Sequence, residues 1–324
     1  MSQSVLVSLD GRTELALNII KSVAKHFGDP NNYVFLDFVN SQKFSDGELC
    51  VDYKNSIRGK RVYILTSPNT SDEIMKMTLA IDAAKRAAAK EIIVILPYFP
   101  YARQDKKDQA RGPIGATIIS KMIQVLGATG IITYDLHADQ IQGYFDIPVT
   151  HLEGKNVFDS YIAKIADEDT VLCGPDAGSA KRVKRMKDQL QTYHNTSLNI
   201  VMLDKSRKEA NVIDEMIIIG DVTGKNVIIV DDMVDTAGTL CKAAEVLMNA
   251  GAKSVRAVIS HGVLSGPAYD RIEASVLTEL VVSDSLDVKP SPKIKVISVE
   301  QQIAFAICAI NSDSSYEGLR KERF

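Results

Sequence analysis

Short β-branched runs alternate with stretches of helical period along most of the chain, and this alternation limits the possible folds more than any other feature. Runs at 62–66, 92–96, 131–134, 171–173, 200–203, 227–230 and 255–260 are predicted to be buried strands. Helices are predicted between them, over 72–88, 114–125, 157–165, 179–190 and 240–250. A chain that returns through a helix after each strand builds parallel sheets covered on both faces. The predicted class is therefore α/β.

The 324 residues suffice for two domains at ~150 residues each. No Pro/Gly/Ser linker separates them, and no repeat is visible residue by residue. The clearest break is DIPVTHLEG at 146–154, so the expected domains are 1–149 and 150–298, with the C-terminal helix 299–324 joining the first. Each half carries about five strand candidates, so two similar mainly parallel sheets flanked by helices are expected.

The formal net charge is -3, from 38 Lys plus Arg against 41 Asp plus Glu. Such a balance gives no global basic field for nucleic acid or an anionic membrane, so any anion site has to be built locally. Cys50, Cys173, Cys241 and Cys308 are too scattered for a CxxC zinc module or a disulfide framework. No apolar run nears the ~18 residues of a membrane span, and no basic segment precedes the short apolar stretch near residue 1. A soluble, cytoplasmic protein is expected.

The strongest local signal is VIIVDDMVDTAGTL at 227–240. An apolar strand runs into Asp231 and Asp232, and then into Asp235, Thr236, Ala237, Gly238 and Thr239, which open a helix. Ligands of open α/β sheets sit beyond the carboxyl ends of strands, where helix N-termini offer free N–H groups to phosphate. Gly238 lets the backbone approach closely, the threonines add hydroxyls, and the paired acids suit ribose hydroxyls or a metal. A bare helix cap at Asp235 or Thr236 explains neither the doubled acid nor the small-residue loop.

This segment resembles the phosphoribosyl-pyrophosphate loop of the type I phosphoribosyltransferase fold. KFSDGE (43–48), YFPYARQDKKD (98–108), DLHADQIQGYFDIPV (135–149), GPDAGSAKR (174–182) and DKSRKEAN (204–211) narrow the resemblance to the ribose-phosphate pyrophosphokinases, or PRPP synthetases. It covers the chain from about residue 5 to 309. The resemblance implies transfer of the β,γ-diphosphoryl group of ATP to the anomeric hydroxyl of ribose 5-phosphate, giving PRPP and AMP, with Mg²⁺ as cofactor. It assigns Asp231 to Thr239 to ribose 5-phosphate.

The other motifs also make sense residue by residue. Arg103, Lys106, Lys107 and Arg111 surround Asp105 and Asp108, a basic cluster able to clamp a triphosphate or simply a wet loop. The family assigns Arg103, Gln104 and Asp108 to ATP. Phe44, Asp46 and Glu48 alternate, so an aromatic and two carboxylates can meet adenine, while Asp46-Gly47 alone reads as a hairpin turn. In the family this hairpin reaches a neighbouring subunit's ATP site, which implies a homo-oligomer, in the family a hexamer. His137 sits in a strand-end loop with Asp135 and Asp139. By resemblance His137 and Asp176 ligate Mg²⁺, with Asp135 a further candidate. Lys205 and Arg207 follow the strand at 200–203, and two cations there suit phosphoryl transfer. By resemblance they stabilise the transition state.

Three alternatives remain beside this reading. A phosphoribosyltransferase shares the 231–239 loop but has no need of KFSDGE or ARQDKK. A silent regulatory relative should have lost His137 or the DKSR segment, and both are intact. A related pyrophosphokinase with a larger acceptor, such as ADP-ribose, stays open. The chain departs from the family pattern at Gly178-Ser179, Thr150 and DGRTEL (10–15), and its C-terminus, NSDSSYEGLRKERF, lacks the Ser-Val-Ser arrangement that helps bind regulatory phosphate. Weak or absent phosphate activation and ADP inhibition are the resulting expectation.

Overall fold

A computed structural model describes residues 4–9, 11–27, 34–206 and 215–321. The chain divides into two compact units, Met1–Glu153 with Val299–Phe324, and Gly154–Ser298.

The first unit runs β1 (Ser4–Ser8), α1 (Thr13–Phe27), β2 (Val34–Lys43), β3 (Leu49–Tyr53), β4 (Arg61–Leu65), α2 (Ser71–Arg86), β5 (Glu91–Leu96), α3 (Gly115–Leu126), β6 (Gly130–Tyr134) and β7 (Val149–Leu152). The second runs α4 (Lys155–Ile165), β8 (Thr170–Gly174), α5 (Ala180–His194), β9 (Asn199–Ser206), β10 (Glu215–Ile219), β11 (Asn226–Val234), α6 (Gly238–Asn249), β12 (Ser254–Gly262), α7 (Ala268–Ala274), β13 (Glu279–Ser283) and β14 (Ile294–Ile297). The chain then returns to the first unit through α8 (Glu300–Asn311) and α9 (Tyr316–Lys321).

Each unit holds one seven-stranded sheet, ordered β3-β2-β1-β4-β5-β6-β7 and β10-β9-β8-β11-β12-β13-β14. The second order is the first displaced by seven strands, and in each sheet one edge pair, β2–β3 or β9–β10, is antiparallel while the rest are parallel. This is the α/β architecture that the alternation of strands and helices predicts, with the two units built to one plan. Strands such as VLVS, IIVIL and VIIV are apolar on both faces because helices cover both. In the first unit Val5, Ile64, Met77, Ile81, Val94 and Ile123 join the sheet to α2 and α3.

The C-terminal helix α8 packs on α1 and is buried from Gln302 to Ala309, all around its circumference. Its last residue is clamped by the sheet. Asn311 Oδ1 accepts from Ser4 Oγ at 3.0 Å, from Tyr63 OH at 2.9 Å and from Arg61 Nη1 at 2.9 Å, and Arg61 Nη1 also donates to the Ile310 carbonyl. These bonds explain how residues 299–324 become part of a unit whose strands lie about 150 or more positions earlier.

Candidate active site

In the second unit β11 continues past the run read from sequence. It was expected to end at Val230, but its ladder with β12 extends through Asp231 opposite Ile259 and Val234 opposite Gly262. Asp231 and Asp232 therefore sit inside the strand's last turn of pairing, held by the sheet. Asp232 is 8% exposed, and its N–H donates to Asp231 Oδ1 at 2.9 Å. Burial pushes the Asp231 carboxyl up to about 8, and the negative fields of Asp232 and Asp176 add to the rise. The paired acids thus favour sharing a proton at neutral pH.

The next residues, Asp235 to Gly238, turn into α6. Ala237 has φ +59° and ψ 2°, a left-handed conformation that costs a non-glycine residue about 1 kcal/mol or more. No side chain caps α6, and its first turn contains no acid. Its N-terminal donors are thus left for a ligand.

On the neighbouring strand, Asp176 follows β8 and caps a short 3-10 turn, Ala177–Ser179. Its Oδ1 accepts from Ser179 N at 3.0 Å, and Ser179 Oγ donates back to its carbonyl at 2.6 Å. The serine that departs from the family's glycine is thus part of this cap. Close packing of Gly174 is also required, because a Cβ there would meet Met202 Cε at 2.5 Å and Ser179 Oγ at 2.6 Å.

Strand β9 likewise outruns its expected end at Leu203. Lys205 belongs to it, opposite Met216 of β10, because antiparallel pairing with 215–219 carries the ladder outward. Lys205 is therefore a strand-end residue rather than a loop residue. Arg207 lies outside the described residues.

In the first unit Phe44, Asp46 and Glu48 occupy the tip of the β2–β3 hairpin. Gly47 has φ +96°, its N–H donates to the Phe44 carbonyl at 3.0 Å, and Phe44 N–H donates to Glu48 O at 2.8 Å. Asp46 Oδ1 accepts from Glu48 N, while Phe44 is 46% exposed. An aromatic ring is thus held out on a tight turn.

Arg103, Gln104 and Asp108 are exposed on the β5–α3 connection. Asp105 between them is buried and accepts from Gln140 Nε2 at 2.7 Å, and its carbonyl accepts the Tyr144 hydroxyl. These bonds tie the basic loop to the segment that follows His137. A cavity of about 330 Å³ opens beside it, lined by Asn69, Thr70, Tyr98, Tyr101, Arg103 and Gln104. A second, more apolar cavity of about 250 Å³ shares Ser71, Ile74, Tyr101 and Gln104 with the first. Gly115 makes room there: a Cβ would stand 2.7 Å from Gln104 Oε1 and 2.9 Å from Tyr101 Cδ1. Asp135 is buried with φ +41°, and its N–H donates to Leu152 O at 2.7 Å, whereas His137 is exposed. Among the described residues, no three His, Cys, Asp or Glu side chains stand close enough to hold a metal by themselves.

Comparison with known proteins shows the family and the fold. Residues 4–127 match the N-terminal domain of ribose phosphate pyrophosphokinase, and 173–320 match the phosphoribosyl synthetase-associated domain. The ribose-phosphate pyrophosphokinase of Wolinella succinogenes is 44% identical over 300 residues, 92% of this chain and 94% of its own. The chain belongs to the ribose-phosphate pyrophosphokinase family. The Porphyromonas gingivalis member is 46% identical over 283 residues, 86% of this chain and 88% of its own. The crystal structure of phosphoribosylpyrophosphate synthetase from Mycobacterium smegmatis matches with a TM-score of 0.86 at 34% identity, covering 97% of this chain and all of that one. The chain is thus a pyrophosphokinase-family enzyme with the fold of that synthetase. Among the described residues no helix is long and apolar enough to cross a membrane.

Sequence reasoning passed over several residues at these sites. Asn69 and Thr70 line the cavity beside Arg103 yet stand in a stretch with no motif of its own, and Tyr101, which lines it too, lies within YFPYARQDKKD but was given no role. The positive φ of Tyr101, +59°, is a tertiary feature that sequence does not announce.

Proposed function

We propose that this pyrophosphokinase moves the β,γ-diphosphoryl group of ATP to the anomeric hydroxyl of ribose 5-phosphate. The hydroxyl oxygen attacks the β-phosphorus, the bond from that phosphorus to the α-phosphate oxygen breaks, AMP leaves, and the hydroxyl proton passes to solvent. The observation that carries this reading is the uncapped, left-handed entry into α6 directly behind the paired acids Asp231 and Asp232, the second of them buried.

The N–H groups at the start of α6, with Thr236, Gly238 and Thr239, hold the 5-phosphate. Asp235 and Ala237 shape the loop. Asp231 and Asp232 accept the ribose hydroxyls, whose donors replace the proton that burial keeps on the pair. Arg103, Gln104 and Asp108 hold ATP beside a cavity rich in polar and aromatic groups, and Phe44, Asp46 and Glu48 of a neighbouring copy complete the adenine site. Lys205 and Arg207 meet the transferring phosphoryl oxygens, where charge builds in the transition state.

Mg²⁺ fits the residues present. It usually takes one or two carboxylates and fills its other positions with water and substrate phosphate, and Asp176 and Asp135 supply carboxylates of that kind. By family resemblance His137 and Asp176 are the proposed ligands, with Asp135 a further candidate. When bound, the ion supplies charge neutralisation on the phosphates. Four free cysteines agree with a reducing cytoplasm, and the exposed Phe44 agrees with a homo-oligomer, by family a hexamer.

Phosphorus NMR of the protein incubated with MgATP and ribose 5-phosphate tests the reading. The expected products are AMP and a new anomeric diphosphate doublet pair. ADP with a ribose bisphosphate would refute it.

A further inference from the structure

Val234, the last residue of β11, and the two residues after it are held from outside by α7 and by the connection between β12 and α7. The Val234 carbonyl accepts two N–H donors, Val263 at 2.9 Å and Leu264 at 3.3 Å. The Asp235 carboxylate accepts a close hydrogen bond from Ser265 Oγ. The Thr236 carbonyl accepts from Arg271 Nη1 at 2.9 Å. Leu264 takes a left-handed conformation, φ +49°, so this attachment is made against local strain.

We infer that Ser265 and Arg271 are positioning residues for ribose 5-phosphate, acting through the loop rather than by contact with the sugar phosphate. The inference deepens the proposed function and rests on its placing of the 5-phosphate at α6.

The physical argument starts from the planar trans peptide. The carbonyl of Thr236 and the N–H of Ala237 belong to one peptide unit and point in opposite directions. Fixing that carbonyl on the guanidinium therefore aims the Ala237 N–H away from Arg271. It also holds Ala237 in the left-handed conformation, which its own Cβ disfavours. Without the clamp, the peptide gains by rotating to a relaxed conformation, and the donor turns with it.

Ser265 deals with the loop's one carboxylate. An unrestrained Asp235 competes with a phosphate for the same N–H donors, as acids do at helix N-termini. The hydroxyl of Ser265 engages that carboxylate, so the donors stay available. Arg271 adds a cation beside the loop, a favourable though solvent-screened field for a dianion.

Gly238 fits the same picture. A Cβ there would lie 3.3 Å from Arg271 Nη1, closer than ordinary contact, so the glycine makes room for the guanidinium as well as for a ligand. A side chain at 238 and an arginine at 271 compete for one space.

The test is a kinetic split in the full-length enzyme. Arg271→Ala should raise KM for ribose 5-phosphate about tenfold, the effect of one charge-assisted hydrogen bond, with KM for ATP and kcat within about twofold. Arg271→Lys should recover part of that loss. Ser265→Ala should raise the same KM about threefold, and Ser265→Thr should restore it. Calorimetric titration with ribose 5-phosphate and circular-dichroism melting accompany each variant. An unchanged KM for ribose 5-phosphate in Arg271→Ala overturns the inference. So does an equal rise in both KM values with a lowered melting temperature, which marks a structural role only. If the wild type binds ribose 5-phosphate but transfers nothing to it, the proposed function fails and the calorimetric affinities of the variants still decide the inference. If the wild type does not bind ribose 5-phosphate, both fall.

Discussion

The β4–α2 connection of the first unit and the β11–α6 connection of the second occupy the same place in the same sheet order. In the first, Glu73 of α2 folds back, and its Oε2 accepts from Asn69 N at 2.8 Å and Thr70 N at 3.0 Å. Thr70 Oγ1 accepts in turn from Glu73 N, closing a capping box. In the second, α6 has no such cap and no acid in its first turn. A carboxylate from the chain thus fills the first helix entrance, while the second is left with donors to spare. The acids differ in the same sense. Counting from the first residue of each strand, Thr66 and Ser67 stand where Asp231 and Asp232 do. One fold can therefore give one anion site or two, according to whether the chain uses up its own helix donors.

The comparison also extends to the two edge hairpins, and it breaks most readily there. β9–β10 carries Lys205, one of the proposed transition-state cations, and β2–β3 carries the aromatic tip. Lys205→Ala and Arg207→Ala should each lower kcat by two or more orders of magnitude, with melting temperature and KM for ATP nearly unchanged. Steady-state kinetics with MgATP and ribose 5-phosphate decide this, and equal losses in affinity and turnover would assign both residues to ground-state binding.

Asp231→Asn sharpens the contrast between the strand ends. The folded Asp231 carboxyl titrates above its unfolded value, at about 8 rather than 3.8. The folded state thus holds an extra proton between about pH 4 and pH 8, and stability from this group falls as pH rises through that window. The asparagine variant should lose activity by about a hundredfold, yet melt a few degrees higher without ligand, with a larger gain at pH 9 than at pH 5. Differential scanning calorimetry at both values checks the sign, and an equal gain at each would show that the carboxyl is not held protonated.

Phe44→Ala should raise KM for ATP roughly tenfold through loss of stacking while leaving KM for ribose 5-phosphate alone. Light scattering on the wild type belongs with that measurement, since full activity in a monomer would show that the hairpin serves no neighbour.

The smallest effect should follow Glu73→Ala. Removing the carboxylate half of the box should cost about 1 kcal/mol in urea unfolding and leave KM for ribose 5-phosphate unchanged. A changed KM would mean that the first helix entrance is not merely closed.

Much of this enzyme was legible in order along the chain. The alternation of β-branched and helical segments determined the α/β class, and DDMVDTAGT marked the proposed phosphate loop because its chemistry is local: acids, hydroxyls and a glycine within nine residues of one strand end. KFSDGE likewise folds as the hairpin that Asp46-Gly47 implies. Strand ends were less legible. β9 and β11 run three and four residues past their apolar cores because a ladder continues while its partner strand does, whatever the side chains. The repeat of the two sheets was hidden because parallel sheets require only apolar strands at suitable intervals, so two units can share a topology without sharing residues. The closure of α2 by Glu73 is a local Thr-x-x-Glu capping box, whereas the strain at Ala237 and the clamp from Ser265 and Arg271 were decided only by the tertiary structure. Each depends on where a carbonyl or carboxylate finds its donor, and for the clamp those donors lie about 30 to 35 positions away, on another element.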